Sequence, residues 1–473
     1  YPVVGANRLS SRQKGMATTN RTAGNPAFQA LTRDQVDRIE RNTWYHSIRL
    51  RDGTVIQGLI PVEALEARLK GFPIPRDLIG KRVLDIGAAT GWCSFEMERR
   101  GAEVVAVDCV EYEDFYTAKK LLGSQVEYRV LDMEEMTPEA LGVFDYVLFF
   151  GVLYHLRHPL LGLERLCALT RETAYVESFV SDSHLSAEER AGMPCTMDFY
   201  EIDELGGQID NWVGPTTNCL LAFCRSAGFA RVELEYMQDR RAGVVCRRRW
   251  ESAPENPPQP APWINAAVNN RTQDIYFHPS KDEYICLYFK TPETELLRED
   301  VRVEVDGYGA PVLLVTDLGR QGWQANLRVP PGLAPGSHDV RLRTVNSALS
   351  NEFQIVIGDG TAVTRPAASS GAVSAAPDLY EVENSMTETS LFHGFRNEYL
   401  CARFKLDRRD LAREEVLLEV GGMPAAVRFL TDLGDGWQVN AKLPDNLEAG
   451  THSVRVRAAG GEASNPLEIT LAS

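Results

Sequence analysis

The 473-residue chain has no apolar run long enough to cross a bilayer, no C-x-x-C pair and no excess of basic charge. Its most apolar stretch, Tyr146-Val-Leu-Phe-Phe-Gly-Val-Leu-Tyr154, falls far short of the roughly 20 residues of a spanning helix and is bounded by Asp145 and His155. It reads as a buried strand, and no membrane association is expected. The nine cysteines are an odd set scattered beside apolar residues, as in Trp92-Cys93-Ser94 and Leu220-Leu-Ala-Phe-Cys224. They read as buried free thiols in a reducing, cytoplasmic compartment, with no metal site. A formal charge of −16 opposes a polyphosphate ligand, because binding one relies on a basic patch to release counterions. The exception is Arg247-Arg248-Arg249, and three arginines in a row on a strand alternate faces and read as a solvated edge. Tyr1 to Gly15 lacks the apolar core of a signal peptide, and Met16 could open the native chain after appended residues.

What the chain does have is ordinary globular composition, 44% hydrophobic and 25% charged, over a length that calls for about three domains. Two stretches break the pattern, Glu251-Ser-Ala-Pro-Glu-Asn-Pro-Pro-Gln-Pro-Ala-Pro262 and the Ala/Ser/Gly/Pro-rich Gly358 to Asp378. The segments after them repeat one another. Glu283-Tyr-Ile-Cys-Leu-Tyr-Phe-Lys290 matches Glu398-Tyr-Leu-Cys-Ala-Arg-Phe-Lys405, and Thr316-Asp-Leu-Gly319 with Gly322-Trp-Gln324 matches Thr431-Asp-Leu-Gly434 with Gly436-Trp-Gln438. Short alternating runs such as Val301–Val305 and Val454–Arg457, separated by Gly/Asp/Pro turns, make each copy an all-β sandwich of immunoglobulin-like type with Trp323 or Trp437 in its core. The expected organisation is a disordered or appended N-terminus (1–26), a helical and hairpin cap (27–74), an α/β domain (75–250), a Pro-rich linker (251–263), a first sandwich (264–357), a second linker (358–379) and a second sandwich (380–473).

In the first 250 residues helical segments, Pro61–Lys70 and Leu160–Leu169 among them, alternate with apolar strands, the mark of a mostly parallel sheet. Ahead of it, Trp44–Leu50 and Val55–Gly58 flank Asp52-Gly53 and predict a hairpin. Lys81-Arg-Val-Leu-Asp-Ile-Gly-Ala-Ala-Thr-Gly-Trp92 is an apolar strand ending in a glycine turn that enters a helix from Cys93 to Arg100. Gly87 and Gly91 keep that turn open to a ligand's close approach, and the helix N-terminus suits a carboxylate. The next strand, Glu103–Asp108, ends in an acid about twenty residues on, the spacing at which such folds grip ribose hydroxyls. The third, Val126–Leu131, leads into Asp132-Met133, and the fourth, Phe144–Phe150, into Gly151-Val-Leu-Tyr-His155.

This series of strand ends resembles the class I S-adenosylmethionine (SAM)-dependent methyltransferases over roughly residues 40–250. The resemblance implies a Rossmann-like fold with a seven-stranded sheet and SAM as cofactor, with S-adenosylhomocysteine (SAH) as product. It assigns to the cofactor Asp85, Gly87, Ala88, Gly91, Trp92, Asp108, Asp132, Met133, Phe150 and Gly151. Among these, Gly87, Ala88 and Gly91 would lie against the methionine moiety, Asp108 would take the ribose hydroxyls, Asp132 and Met133 the adenine, and Phe150 with Gly151 would back the sulfonium. A nicotinamide-dinucleotide fold is disfavoured because Gly87-Ala-Ala-Thr-Gly91 is not G-x-G-x-x-G. A narrower likeness, carried by Trp44-Tyr45-His46, Gly151-Val-Leu-Tyr-His155, Asp203-Glu-Leu-Gly-Gly207, Asn211-Trp212 and Pro215-Thr216, is to the branch around the tRNA wobble-uridine (5-methoxyuridine or carboxymethyl) methyltransferases.

Methyl transfer to a hydroxyl needs an aligned acceptor and a base. His155, just past the fourth strand, has the right intrinsic pKa, about 6.5, to be that base. Glu177 at the end of Ala174-Tyr-Val-Glu177 and His46 on the hairpin are further catalytic candidates. Tyr45, Tyr154, Glu204, Asn211 and Trp212 are candidates for acceptor contact, and His158 before Pro159 marks a helix start. The expected activity is methylation of a small-molecule or saccharide-like acceptor at oxygen, with the β modules organising a homodimer or holding a protein partner. The alternatives are a tRNA wobble-uridine methyltransferase and a SAM-binding scaffold whose sandwiches carry the function.

Overall fold

A computed structural model describes residues 44–271, 274–278, 283–358, 376–385, 387, 389–393, 399–408, 411, 413–433, 435–444, 446–458 and 460–472. The expected N-terminus 1–26, the first part of the 27–74 cap and most of the 358–379 linker lie outside these residues. Two compact units emerge, Tyr1–Trp250 and Glu251–Ser473.

The first unit is built on a seven-stranded sheet. Its strands are β5 (Arg82–Ile86), β6 (Glu103–Asp108), β7 (Glu127–Val130), β8 (Phe144–Phe150), β9 (Thr170–Phe179), β12 (Arg231–Gln238) and β13 (Arg241–Arg247), in the spatial order β12-β13-β9-β8-β5-β6-β7. The four pairings β9/β8, β8/β5, β5/β6 and β6/β7 are parallel, and β12/β13 and β13/β9 are antiparallel. Strands buried on both faces read as continuous apolar runs, and their neighbours go to opposite cores. Leu84, Val147 and Phe149 face one cluster with Leu163 and Leu166, while Val83, Ala106 and Leu148 face another with Phe95 and Phe115. The helices covering the sheet include α1 (Val62–Lys70), α2 (Trp92–Arg99), α3 (Glu113–Leu122) and a further helix, Pro159–Leu169, that His158 caps as its sequence signals. Strand order reverses at β5, with β6 on one side and β8 on the other, and open α/β sheets take their ligands in the crevice beyond the carboxyl ends at such a switch point.

Two expectations are corrected here. The hairpin is real only at its tip, where Ile48–Arg49 pairs antiparallel with Val55–Ile56 and Asp52 Oδ1 accepts the Thr54 N–H. Strand β1 (Trp44–His46) instead pairs in parallel with β4 (Gly58–Ile60). Gly58 makes this crossing feasible, since a Cβ there would sit 2.5 Å from the His46 carbonyl carbon. The arginine run is not a solvated edge, because β13 is paired on both sides. Arg247 is half-buried and ion-paired to Glu233, Arg248 is 1% exposed with Nη1 2.9 Å from Cys167 Sγ, and only Arg249 is exposed. All nine cysteines are free; Cys109 and Cys195 are exposed, Cys93 is half-buried and the other six are buried.

In the second unit each repeat forms its own β module. The first has a four-stranded sheet, β14 (Trp263–Asn269), β16 (Tyr284–Lys290), β20 (Trp323–Arg328) and β19 (Val312–Asp317). Its five-stranded sheet comprises β15 (Tyr276–Phe277), β22 (Phe353–Ile357), β21 (Gly336–Thr344), β17 (Val301–Val305) and β18 (Tyr308–Ala310). Pro311 separates β18 from β19, whereas its counterpart in the second repeat is Ala426, inside the unbroken strand β27 (Met423–Asp432). A proline donates no ladder hydrogen bond, so one strand becomes two. Trp323 and Trp437 are buried in their module cores, with indole N–H groups donating to the Glu293 and Arg408 carbonyls.

The outward face of β14 and β16 carries Ala266, Val268, Cys286 and Tyr288, and β14 lies against β27 of the second module. The matching positions in β23 (Asp378–Asn384) and β25 (Tyr399–Lys405) are Glu381, Glu383, Cys401 and Arg403, with Arg403 ion-paired to both glutamates. Replacing Trp323 or Trp437 by alanine should cost about 3–5 kcal/mol of stability, read as a lower midpoint of urea denaturation.

Candidate functional site

The turn after β5 holds three residues in the left-handed region, Gly87 (φ +74°), Ala89 (φ +46°) and Gly91 (φ +86°). A Cβ on Gly87 would lie 2.4 Å from Val152 Cγ2, and one on Gly91 2.5 Å from the Phe115 ring. Glycine is therefore required at both, by conformation and by space. Asp85 lies 3% exposed beneath the turn and accepts the Ser94 hydroxyl at 2.6 Å, so it ties strand to helix and does not face the crevice. Burial pushes its carboxyl up to about 7. Trp92 is likewise packed into the core, and Ala88 is buried.

Asp108 closes the end of β6. Its Oδ2 accepts the Ala89 N–H at 2.9 Å and its Oδ1 the Val110 N–H at 3.2 Å, which fixes the carboxylate against the turn. Burial raises its pKa. Asp132 is exposed past β7, its N–H donating to Glu135 Oε2 at 3.1 Å, and Met133 packs half-buried on the sheet's core. Phe150 stacks on Phe72 with ring centroids 4.9 Å apart, and Gly151 (φ +73°) donates its N–H to the Glu177 carbonyl at 2.9 Å.

On the other side of the crevice, His155 ends a single 3-10 turn, Leu153–His155. Its Nδ1 is 3.1 Å from the Asp210 carbonyl oxygen. A carbonyl only accepts, so Nδ1 carries the proton and Nε2 keeps its lone pair. Burial lowers the pKa of this imidazole. The buried Tyr154 hydroxyl accepts from Arg241 Nη2 at 2.9 Å. Glu177, 1% exposed, lies between Arg241 Nη1 at 3.4 Å and Arg68 Nε at 3.7 Å. A carboxylate held between two guanidiniums positions both of them.

His46 does not join His155. It is 8% exposed, its backbone N–H donates to Thr90 Oγ1 at 3.0 Å, and burial, then Arg68, pull its pKa down to about 3. So weak a base cannot collect an acceptor's proton near neutral pH, and His46 belongs to the glycine turn. Tyr45, exposed, meets the His46 ring edge-on at 4.8 Å. Asn211 anchors a loop, its Nδ2 donating to the Leu205 carbonyl at 2.7 Å and to Gln208 Oε1 at 3.1 Å. Trp212 donates its N–H to the Tyr154 carbonyl at 2.7 Å, and Arg157 covers its ring at 4.1 Å. Glu204 is exposed and accepts the local Ile202 N–H. Arg68, Thr90, Asp210 and Arg241 went unread in the sequence; Asp239-Arg240-Arg241 before β13 was the one signal, an arginine pair at a strand start.

Residues 62–209 match the family model of a methyltransferase domain. Over 90 residues the chain is 40% identical to a magnesium-protoporphyrin O-methyltransferase of Rhodobacter capsulatus, covering 19% of this chain and 40% of that protein. Over 194 residues it is 31% identical to a tRNA U34 carboxymethyltransferase of Pseudomonas paraeruginosa, covering 38% of this chain and 55% of that one. The chain thus spans about half the length, or less, of these curated relatives. The solved N-terminal domain of EvdMO1, determined in the presence of SAH and D-fucose, aligns at 23% identity and a TM-score of 0.35 over 45% of this chain and 95% of that one. Within the first unit, residues 62–209 thus carry the likeness to a methyltransferase domain.

The residues present fit SAM, the cofactor that the strand-end resemblance implies. The glycine turn bares backbone, Asp108 is a rigid acceptor for hydroxyls, and the buried polar atoms Trp44 Nε1 and His46 Nδ1 on the neighbouring strand have no partner among the described residues. Asp85 binds its proton up to about pH 7 in the fold but ionises near 3.8 when unfolded. The folded state therefore holds the extra proton across that window, and stability falls as pH rises through it. Asp85→Asn should raise the melting temperature over the wild type by more at pH 8 than at pH 5 in differential scanning fluorimetry.

Proposed function

We propose that the chain transfers the methyl group of SAM to an oxygen of a small-molecule acceptor, with His155 taking the acceptor's proton. The observation that supports this most is the 3.1 Å approach of His155 Nδ1 to the Asp210 carbonyl oxygen, which calls for the proton on Nδ1 and leaves Nε2 to accept one. SAM supplies a methyl group on a sulfonium, already activated for in-line displacement. The chain's part is alignment and proton removal. Gly87, Ala88 and Gly91 would hold the methionine moiety, Asp108 the ribose, Asp132 and Met133 the adenine, and Phe150 with Gly151 the space behind the sulfur. Tyr154, fixed by Arg241, and Trp212 would line the acceptor's side, and Tyr45 would close it.

The magnesium-protoporphyrin relative is named an O-methyltransferase, as is a ubiquinone-biosynthesis relative of Xanthomonas oryzae, which favours oxygen. Residues 197–212, which hold Asp210 against His155, include Asp198, Glu201, Asp203, Glu204 and Asp210 and not one lysine or arginine. Such a lid repels a polyanion, so the tRNA-modifying relative's acceptor is disfavoured here. Phe199, Ile202 and Ile209 on the same segment are 68%, 59% and 75% exposed and would suit the apolar face of a ring or sugar. The two β modules are taken to be immunoglobulin-like and to hold a partner or a second copy.

Asp108→Ala should weaken SAH binding at least tenfold in isothermal titration. His155→Gln should lower methyl transfer by about 10²–10⁴-fold while SAH affinity stays within about twofold, since general-base removal acts on the chemical step. Because burial lowers the His155 pKa, the acidic limb of kcat/KM should have its midpoint below that of an ordinary histidine. Unchanged turnover in His155→Gln, or transfer to nitrogen or sulfur with no acidic limb, would remove the base from the scheme.

A further inference from the structure

Trp44 and His46 project from the same face of β1, 1% and 8% exposed, with Tyr45 between them pointing out. The indole Nε1 and the imidazole Nδ1 are buried without a hydrogen-bond partner among the described residues. A stranded buried polar atom costs about 1–3 kcal/mol, so two on neighbouring side chains imply a ligand that satisfies them. The strand is fastened to the glycine turn through the His46 N–H and Thr90 Oγ1.

Arg68, on α1, is near enough to His46 to act on its charge and sits 3.7 Å from Glu177, which Arg241 also faces. Two guanidiniums thus share one carboxylate, leaving one positive charge over. Around the turn the chain therefore offers an indole N–H and a guanidinium for an anion, and an imidazole nitrogen that can accept from an ammonium. A free amino acid's end, carboxylate and ammonium on one carbon, has that complementary pattern.

We propose that Trp44, His46 and Arg68 form a receptor for the zwitterionic amino-acid end of the cofactor, making the N-terminal strand part of the binding site. This rests on the methyltransferase reading and names residues that the strand-end pattern does not contain. His46 and Trp44 here are binding residues, and Glu177 positions Arg68.

The test is isothermal titration of the full chain with two ligands, SAH and 5′-methylthioadenosine, which keeps the adenosine and thioether but lacks the amino-acid end. Trp44→Phe, His46→Phe and Arg68→Met should each raise the Kd for SAH about tenfold or more, the worth of a hydrogen bond to a charged group, and leave that for methylthioadenosine within about twofold. The ratio of the two affinities does not depend on the folded fraction, so a destabilised variant still reports. An SAH affinity unchanged in all three variants, or an equal loss for both ligands, overturns the receptor while leaving the domain's cofactor intact. A wild-type chain that binds neither ligand overturns the methyltransferase reading, and the receptor with it.

Discussion

Glu177 is the constraint on which the site depends. Its carboxylate has almost no contact with water, and a charge so placed must be matched by charge. It gathers Arg68 from α1 and Arg241 from β13, and through Arg241 it fixes the Tyr154 hydroxyl. Its own carbonyl takes the Gly151 N–H, so one residue at the end of β9 registers the loop that follows β8. The two walls of the crevice are thereby referenced to a single point. His155, in that loop, inherits its position from this network and from the Asp210 carbonyl.

The parts of the site visible in the sequence are those fixed by local periodicity. Strand ends at Ile86, Asp108 and Phe150 follow from apolar runs that stop at a glycine or an acid, and the parallel pairing of β6, β5 and β8 brings all three to the carboxyl end of the sheet. Arg68 and Arg241 could not be read that way. They are separated by most of the first unit's length, and only the sheet's crossovers bring them to one carboxylate. The same holds for His46, whose Trp-Tyr-His run looks catalytic in sequence until burial beside Arg68 makes it too weak a base. Arg248 shows the converse error. A run of arginines suggests water, but a strand paired on both sides leaves the residues at its end inside the protein.

The repeats show how little sequence is needed to alter a topology while keeping a core. Phe289 and Phe404, Trp323 and Trp437, and Ile355 and Ile469 occupy matching buried places. Yet where the first repeat has Pro311 the second has Ala426, and there two short strands become one long one that joins its module into a single eight-stranded sheet. Packing is set by side-chain volume, and strand continuity by one backbone N–H.

The face that changes from Ala266, Val268 and Tyr288 to Glu381, Glu383 and Arg403 makes the tandem directional. The first module ends in a surface that another module can cover, and the second ends in one that would have to give up its water and its ion pairs to be covered. Burial of the charged face would have to offset the desolvation of three ionised groups, whereas the apolar face has almost nothing polar to desolvate.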